Sequence, residues 1–122
     1  MRFMSIVKGP ENAGPPSPEL MSAIDTLAQE MFQKGVMLDM GGLLPTATGA
    51  RIRLSGGKLT VTDGPFTEAK EVVGGYAIMK ADSKAEAIEM GRRFMQLHAD
   101  ILGPHYQMEL EIRQMFDAPP QA

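Results

Sequence analysis

The chain has 122 residues, 43% of them apolar and 22% charged, a net charge of −3 and no cysteine. Such a balance belongs to one folded domain rather than a disordered segment. It gives no overall field to draw nucleic acid or an anionic membrane, and it excludes disulfides, thiolate nucleophiles and Cys-ligated metals. The apolar run from Met1 to Val7 is too short for a secretory signal and no stretch reaches the length of a membrane span, so the expected location is cytoplasmic. The eleven methionines spread along the chain on both sides of the hairpin and read as flexible core filler rather than as an adaptable binding surface.

In chain order, residues 2–8 alternate Phe3, Ser5 and Val7 with Met4, Ile6 and Lys8. Apolar residues on both faces predict a strand covered on two sides. Residues 9–16, with two glycines and three prolines, predict a loop. Ser17-Pro18-Glu19 has the chemistry of a helix start: a capping hydroxyl, a proline at the first helical position and an acid at the positive end of the dipole. Leu20, Ile24, Leu27, Ala28 and Met31 follow at helical spacing, and Gly35 stops the helix. Val36 to Met40 reads as a short strand with Val36, Leu38 and Met40 on one face and Met37 and Asp39 on the other. A loop over 41–49 comes next.

Residues 50–62 are two alternating runs around Gly56-Gly57, the expected loop of a two-residue hairpin. That loop pairs Ser55 with Lys58, Leu54 with Leu59, Arg53 with Thr60, Ile52 with Val61 and Arg51 with Thr62. One face is then aliphatic and the other carries two arginines and two threonines. Asp63-Gly64-Pro65-Phe66 is turn chemistry, and Thr67 to Val73 a charged connector. Tyr76 to Met79, apolar on both faces, predicts a central strand. Ser83 to Glu86 is a capping box. It opens a helix with Ala87, Met90, Gly91, Phe94 and Leu97 on one stripe, ended by Gly103-Pro104. A last strand alternates Tyr106, Met108, Leu110 and Ile112 with His105, Gln107, Glu109, Glu111 and Arg113. The expected domain covers 1–116, with 117–122 as a polar, proline-rich, flexible tail.

This order, β-α-β-(β-hairpin)-β-α-β, predicts an α+β fold: a ferredoxin-like antiparallel sheet with two helices on one face. Two helices cover one face only. The strands that are apolar on both sides need a second cover, and a second copy is the economical one, so the expectation is a homodimer with sheets face to face. The other possibility is a monomer with one partly exposed sheet.

The segment Val61-Thr62-Asp63-Gly64-Pro65-Phe66-Thr67-Glu68-Ala69-Lys70-Glu71-Val72-Val73-Gly74-Gly75-Tyr76 resembles the signature of the DGPF/YCII-related family. Gly42-Leu43-Leu44-Pro45 and Ala50-Arg51-Ile52-Arg53 resemble its lead-in, and the similarity runs from the first strand through the last. The resemblance implies a dimeric α/β-barrel, in small bacterial proteins mostly of unassigned function. It implies frequent occurrence beside, or fusion to, sigma factors of the extracytoplasmic type, although no such region accompanies the domain within these residues. One relative in the wider family is a dehydrochlorinase of a chlorinated hydroquinone. The family's other main branch carries a His in the first helix, proposed to pair with an Asp as a catalytic dyad. Residues 18–34 hold no His, so that mechanism does not carry over.

Polar residues supply the candidates. Asp63, at a strand end near Arg51, is placed either to act as a base or ligand contact or to form an Asx-turn that shapes its loop. Gly64 and Pro65 are conformational, and Phe66 either walls a pocket or anchors the loop. Arg51 and Arg53 form either an anion site or a solvated face with ion pairs to Glu68 or Glu71. Glu68 and Lys70 belong to the signature and are candidates to order the loop or meet a ligand. Asp39 is either a partly buried carboxylate facing the barrel, and so a second candidate base, or an exposed strand end. His98 and His105 lack metal spacing and read as surface residues. With no P-loop, Rossmann fingerprint or Ser/His/Asp order, no cofactor or metal is implied.

Three functions remain open. One is a homodimeric domain that binds an unknown small molecule or regulates. Another is a lyase, isomerase or dehydrochlorinase using an Asp base, with Arg51 polarising an oxygen. The third is an interaction module for a sigma factor.

Overall fold

The computed structural model describes residues 1–11 and 14–117. Six strands and two long helices follow in the order β1 (Arg2–Gly9), α1 (Pro18–Gln33), β2 (Met37–Gly42), β3 (Ala50–Ser55), β4 (Lys58–Asp63), β5 (Val72–Lys80), α2 (Lys84–Leu102) and β6 (Glu109–Gln114). A 3₁₀ turn, Thr46–Thr48, precedes β3. Residues 12–13 of the loop expected at 9–16, and residues 118–122 of the expected tail, lie outside the described residues.

The main sheet runs β2-β5-β1-β6 and every neighbouring pair is antiparallel. With the hairpin β3–β4 set aside as a separate two-stranded sheet, this is the ferredoxin-like order. The strands read as apolar on both sides, β1 and β5, are the central pair. Both helix starts form as their sequences dictate: Ser17 Oγ accepts the Leu20 amide at 3.2 Å and Ser83 Oγ accepts the Glu86 amide at 3.1 Å. The Glu86 carboxylate reaches back to the Asp82 amide, at 3.2 Å, one residue earlier than an ideal capping box. Gly35, at φ +75°, takes the left-handed position behind α1.

The helices cover one face. Phe3, Leu27, Met31, Met37, Met79, Ala81 and Ala87 make the buried core, and three of its members are the methionines read as filler. Gly91 brings α2 down onto the sheet: a Cβ there would lie 2.8 Å from Ile112 Cδ1 and 3.0 Å from Leu110 Cδ2.

Two local readings are corrected. In β2 the register jumps between Met37 and Asp39, which stand opposite Met79 and Ile78. The extra residue, Leu38, makes a bulge. Met37 and Met40 therefore both meet the helix-side core instead of lying on opposite faces, and Leu38 is left exposed. The last strand begins at Glu109, because residues 103–108 are spent on the turn after α2.

On the open face, Met4, Ile6, Tyr76 and Ile78 are half-buried. Glu109 and Glu111 of β6 flank them on one side, with Glu111 ion-paired to Lys8, and Asp39 on the other. The hairpin has the register expected from its glycine loop, Ser55 opposite Lys58 through Arg51 opposite Thr62. Gly56 and Gly57 have φ of +58° and +76°, as a type I′ turn requires. Among the described residues no other element covers its aliphatic face: Ile52, Leu54, Leu59 and Val61 are 65–71% exposed.

Candidate functional site

Two clusters gather the polar residues, one at the base of the hairpin and one on the open sheet face. The first is the Asp63–Lys70 loop. Glu11, just after β1, accepts the Thr46 amide at 2.7 Å and the Thr46 hydroxyl at 2.6 Å. The same hydroxyl oxygen accepts the Phe66 amide at 3.1 Å. The Gly64 amide donates to the Gly49 carbonyl at 2.9 Å, and the Gly64–Pro65 bond is cis. Gly64 lies so close to the 3₁₀ turn that a Cβ would fall 1.6 Å from the Thr46 carbonyl oxygen. Beyond this lock, the Arg51 guanidinium stacks on the Phe66 ring, 3.8 Å from its centroid, and ion-pairs with Glu68. Glu68's own backbone amide, and then Arg51, hold its carboxyl below the usual range.

Arg51, Phe66 and Glu68 thus come together, and Arg51 takes the Glu68 pairing that the sequence left open. Asp63 does not join them. It is paired with Ala50 in the ladder, which puts it on the aliphatic face, opposite Arg51, so the expected Arg51–Asp63 neighbourhood is corrected. Period-2 alternation decides this: Asp63 shares parity with Val61, not with Thr62. Asp63 is exposed, and its side chain makes no hydrogen bond among the described residues. Backbone pairing and Thr46, not an Asx-turn, shape the loop. Arg53, one pair further out, is exposed. Lys70 borders an open groove beside α2.

The second cluster is Asp39 with Tyr76. The Tyr76 hydroxyl donates to Asp39 Oδ2 at 3.2 Å, and Asp39 Oδ1 accepts the Met40 amide at 2.8 Å. The bond to the carboxylate raises the tyrosine pKa above its ordinary value, with the Asp39 charge and some desolvation adding to it. Gly41 makes room: a Cβ there would stand 2.9 Å from Tyr76 Cε1, so a larger residue would push the ring off Asp39. Asp39 lies on the open face as expected, but is exposed in the single chain.

Glu11, Thr46 and Tyr76 were missed as site residues. Tyr76 carried a usable signal, a lone aromatic hydroxyl in a strand otherwise apolar. Glu11 and Thr46 carried none, because their partners lie 35 residues apart. His98 is corrected from surface to buried: its Nδ1 lies 2.9 Å from the Phe94 carbonyl and its ring 4.6 Å from that of Phe94. Among the described residues no group of three or more His, Asp or Glu is arranged to hold a metal, and no helix is long and apolar enough to cross a membrane.

A ferredoxin-like sheet with a free hairpin inserted between β2 and β5, locked at its base by an Asp-Gly-Pro-Phe loop, defines the class. Residues 1–101 match the YCII-related domain, and the chain belongs to that family. It is similar to an uncharacterized protein of Rhizobium meliloti (strain 1021), 30% identical over 73 residues, which are 60% of this chain and 59% of that relative. The match thus spans less than two thirds of the relative's length.

Proposed function

We infer that the chain is a homodimeric small-molecule-binding or regulatory domain. Two open sheet faces pack toward one another and enclose a cavity, and the Asp39–Tyr76 pair is its polar handle. The observation that carries this reading is the unshielded apolar surface around a built polar pair. Met4, Ile6 and Ile78 lie half-buried beside Tyr76, and four aliphatic hairpin residues face outward. An isolated hairpin is marginal in water, and full burial of a Val, Leu or Ile side chain is worth about 1.5–3 kcal/mol. A second copy that covers both patches therefore has a large driving force. Such pockets are largely apolar with a few placed polar groups, and the pair supplies them: the Tyr76 proton is held by Asp39, so the phenol oxygen and the carboxylate accept from a ligand, and a ligand donor that takes over the carboxylate frees the Tyr76 O–H to donate.

The same pair favours one further reading, an enzyme of lyase, isomerase or dehydrochlorinase type. Asp39 would be the base and the Tyr76 hydroxyl would polarise an oxygen. Screening a set of small carboxylated and hydroxylated ring compounds against the wild type, Asp39→Asn and Tyr76→Phe tests both readings. Binding that both substitutions weaken, without turnover, supports the binding domain. Turnover lost in Asp39→Asn supports the enzyme. Binding or turnover indifferent to both substitutions contradicts the assignment of the pair.

A further inference from the structure

Lys70 belongs to the family signature, yet it takes no part in the Arg51–Phe66–Glu68 cluster. It borders, with Pro10 and Glu71, an open groove of about 870 Å³ beside α2. Its other walls include Met95, His98 and Ala99 of α2, the turn after α2 with Tyr106, Met108 ahead of β6, and Glu109 at the start of β6. A volume of this size is in the range of ligand sites, which run from about 300 to 1,000 Å³.

The histidine gives the groove its chemistry. A carbonyl oxygen only accepts, so the 2.9 Å contact of Nδ1 with the Phe94 carbonyl requires the proton on Nδ1. The neutral ring then presents Nε2 as a bare acceptor. Nε2 has no partner among the described residues, and it is not among the polar atoms sealed from solvent. Contact with Phe94 fixes the ring plane. Beside it stand two thioethers, polarizable groups that favour contact with aromatic rings, together with the Tyr106 ring.

We propose that this groove binds a planar aromatic molecule carrying one N–H or O–H donor, held by a hydrogen bond to His98 Nε2 and by ring contact with Met95, Met108 and Tyr106. The site is separate from the sheet-face pair and does not depend on the dimer. Indole and 1-methylindole are the probes, because they share shape and ring and differ in the donor. Binding is followed by the methyl signals of Met95 and Met108 and by the ¹⁵N signal of His98 Nε2. Indole is expected to shift all three, with 1-methylindole at least tenfold weaker, a ratio worth about 1.4 kcal/mol. Ala99, exposed on α2, also borders the groove, so Ala99→Leu fills it without touching the core. That variant should keep the wild-type unfolding curve and lose indole binding. Equal affinity for the two probes, no shift at these methionines, or indole binding unchanged in Ala99→Leu would each overturn the proposal.

Discussion

A methyl group on Gly64 would have to share space with the Thr46 carbonyl oxygen, 1.6 Å from the ideal Cβ position. Both atoms sit on backbone that is hydrogen-bonded in place, so neither side can yield cheaply. Gly64→Ala is expected to destabilise the domain by about 3 kcal/mol, read from urea unfolding. Thr46→Val removes the hydroxyl that serves both Glu11 and Phe66 and should cost about 1 kcal/mol, since the Phe66 amide loses its acceptor while Glu11 keeps the Thr46 amide. At the sheet-face pair, the prediction is a titration. The folded Tyr76 hydroxyl holds its proton to higher pH than in the unfolded chain. Its contribution to stability is therefore complete below the ordinary tyrosine pKa of about 10 and is lost as pH rises through the raised folded value. In a Tyr106→Phe background, which leaves one tyrosine to observe, phenolate absorbance should appear at lower pH in Asp39→Asn than in the parent. Gly41→Val should move it the same way by displacing the ring. An unchanged titration in both would mean that the Asp39–Tyr76 bond does not form.

Elements differ in how far their residues announce them. The hairpin register was legible pair by pair, because a two-residue glycine loop leaves one way to align the strands that flank it. The helices were legible too, since their caps and apolar stripes are local. The β2 bulge was not: alternation cannot reveal where one strand spends an extra residue, and only the facing Met79 and Ile78 fix it. Asp63 was placed beside Arg51 because it follows Thr62, the residue paired with Arg51, while the pleat sends Asp63 and Arg51 to opposite faces. His98 was less legible, because a histidine without metal-ligand spacing reads as a surface residue. Its position four residues after Phe94 and one after Leu97 lay on the edge of the buried stripe. One contact tests element packing directly. Gly91 lets α2 meet Leu110 and Ile112, so Gly91→Val should wedge β6 away and cost about 2 kcal/mol. A variant as stable as the wild type would show that the helix and strand are not seated that closely.

On the scale of the whole molecule, the domain keeps one side of its sheet well covered and leaves two surfaces short of a cover: the open face and the aliphatic side of the hairpin. The loop lock ties the base of the hairpin to the segment after β1 through Glu11, Thr46 and Phe66. If a second copy supplies the cover, Ile52→Lys with Leu59→Lys should separate the copies and leave each chain folded, because both side chains are exposed and, among the described residues, meet only their neighbours on the hairpin face. Far-ultraviolet circular dichroism would show the retained fold. Light scattering coupled to size exclusion, run in dilute solution, tests the central claim most directly. Twice the 13.2 kDa of one chain is the mass expected for the wild type, falling to that of one chain in the double-lysine variant. A wild type that elutes with the mass of a single chain would contradict the account, and the cavity between sheets would go with it.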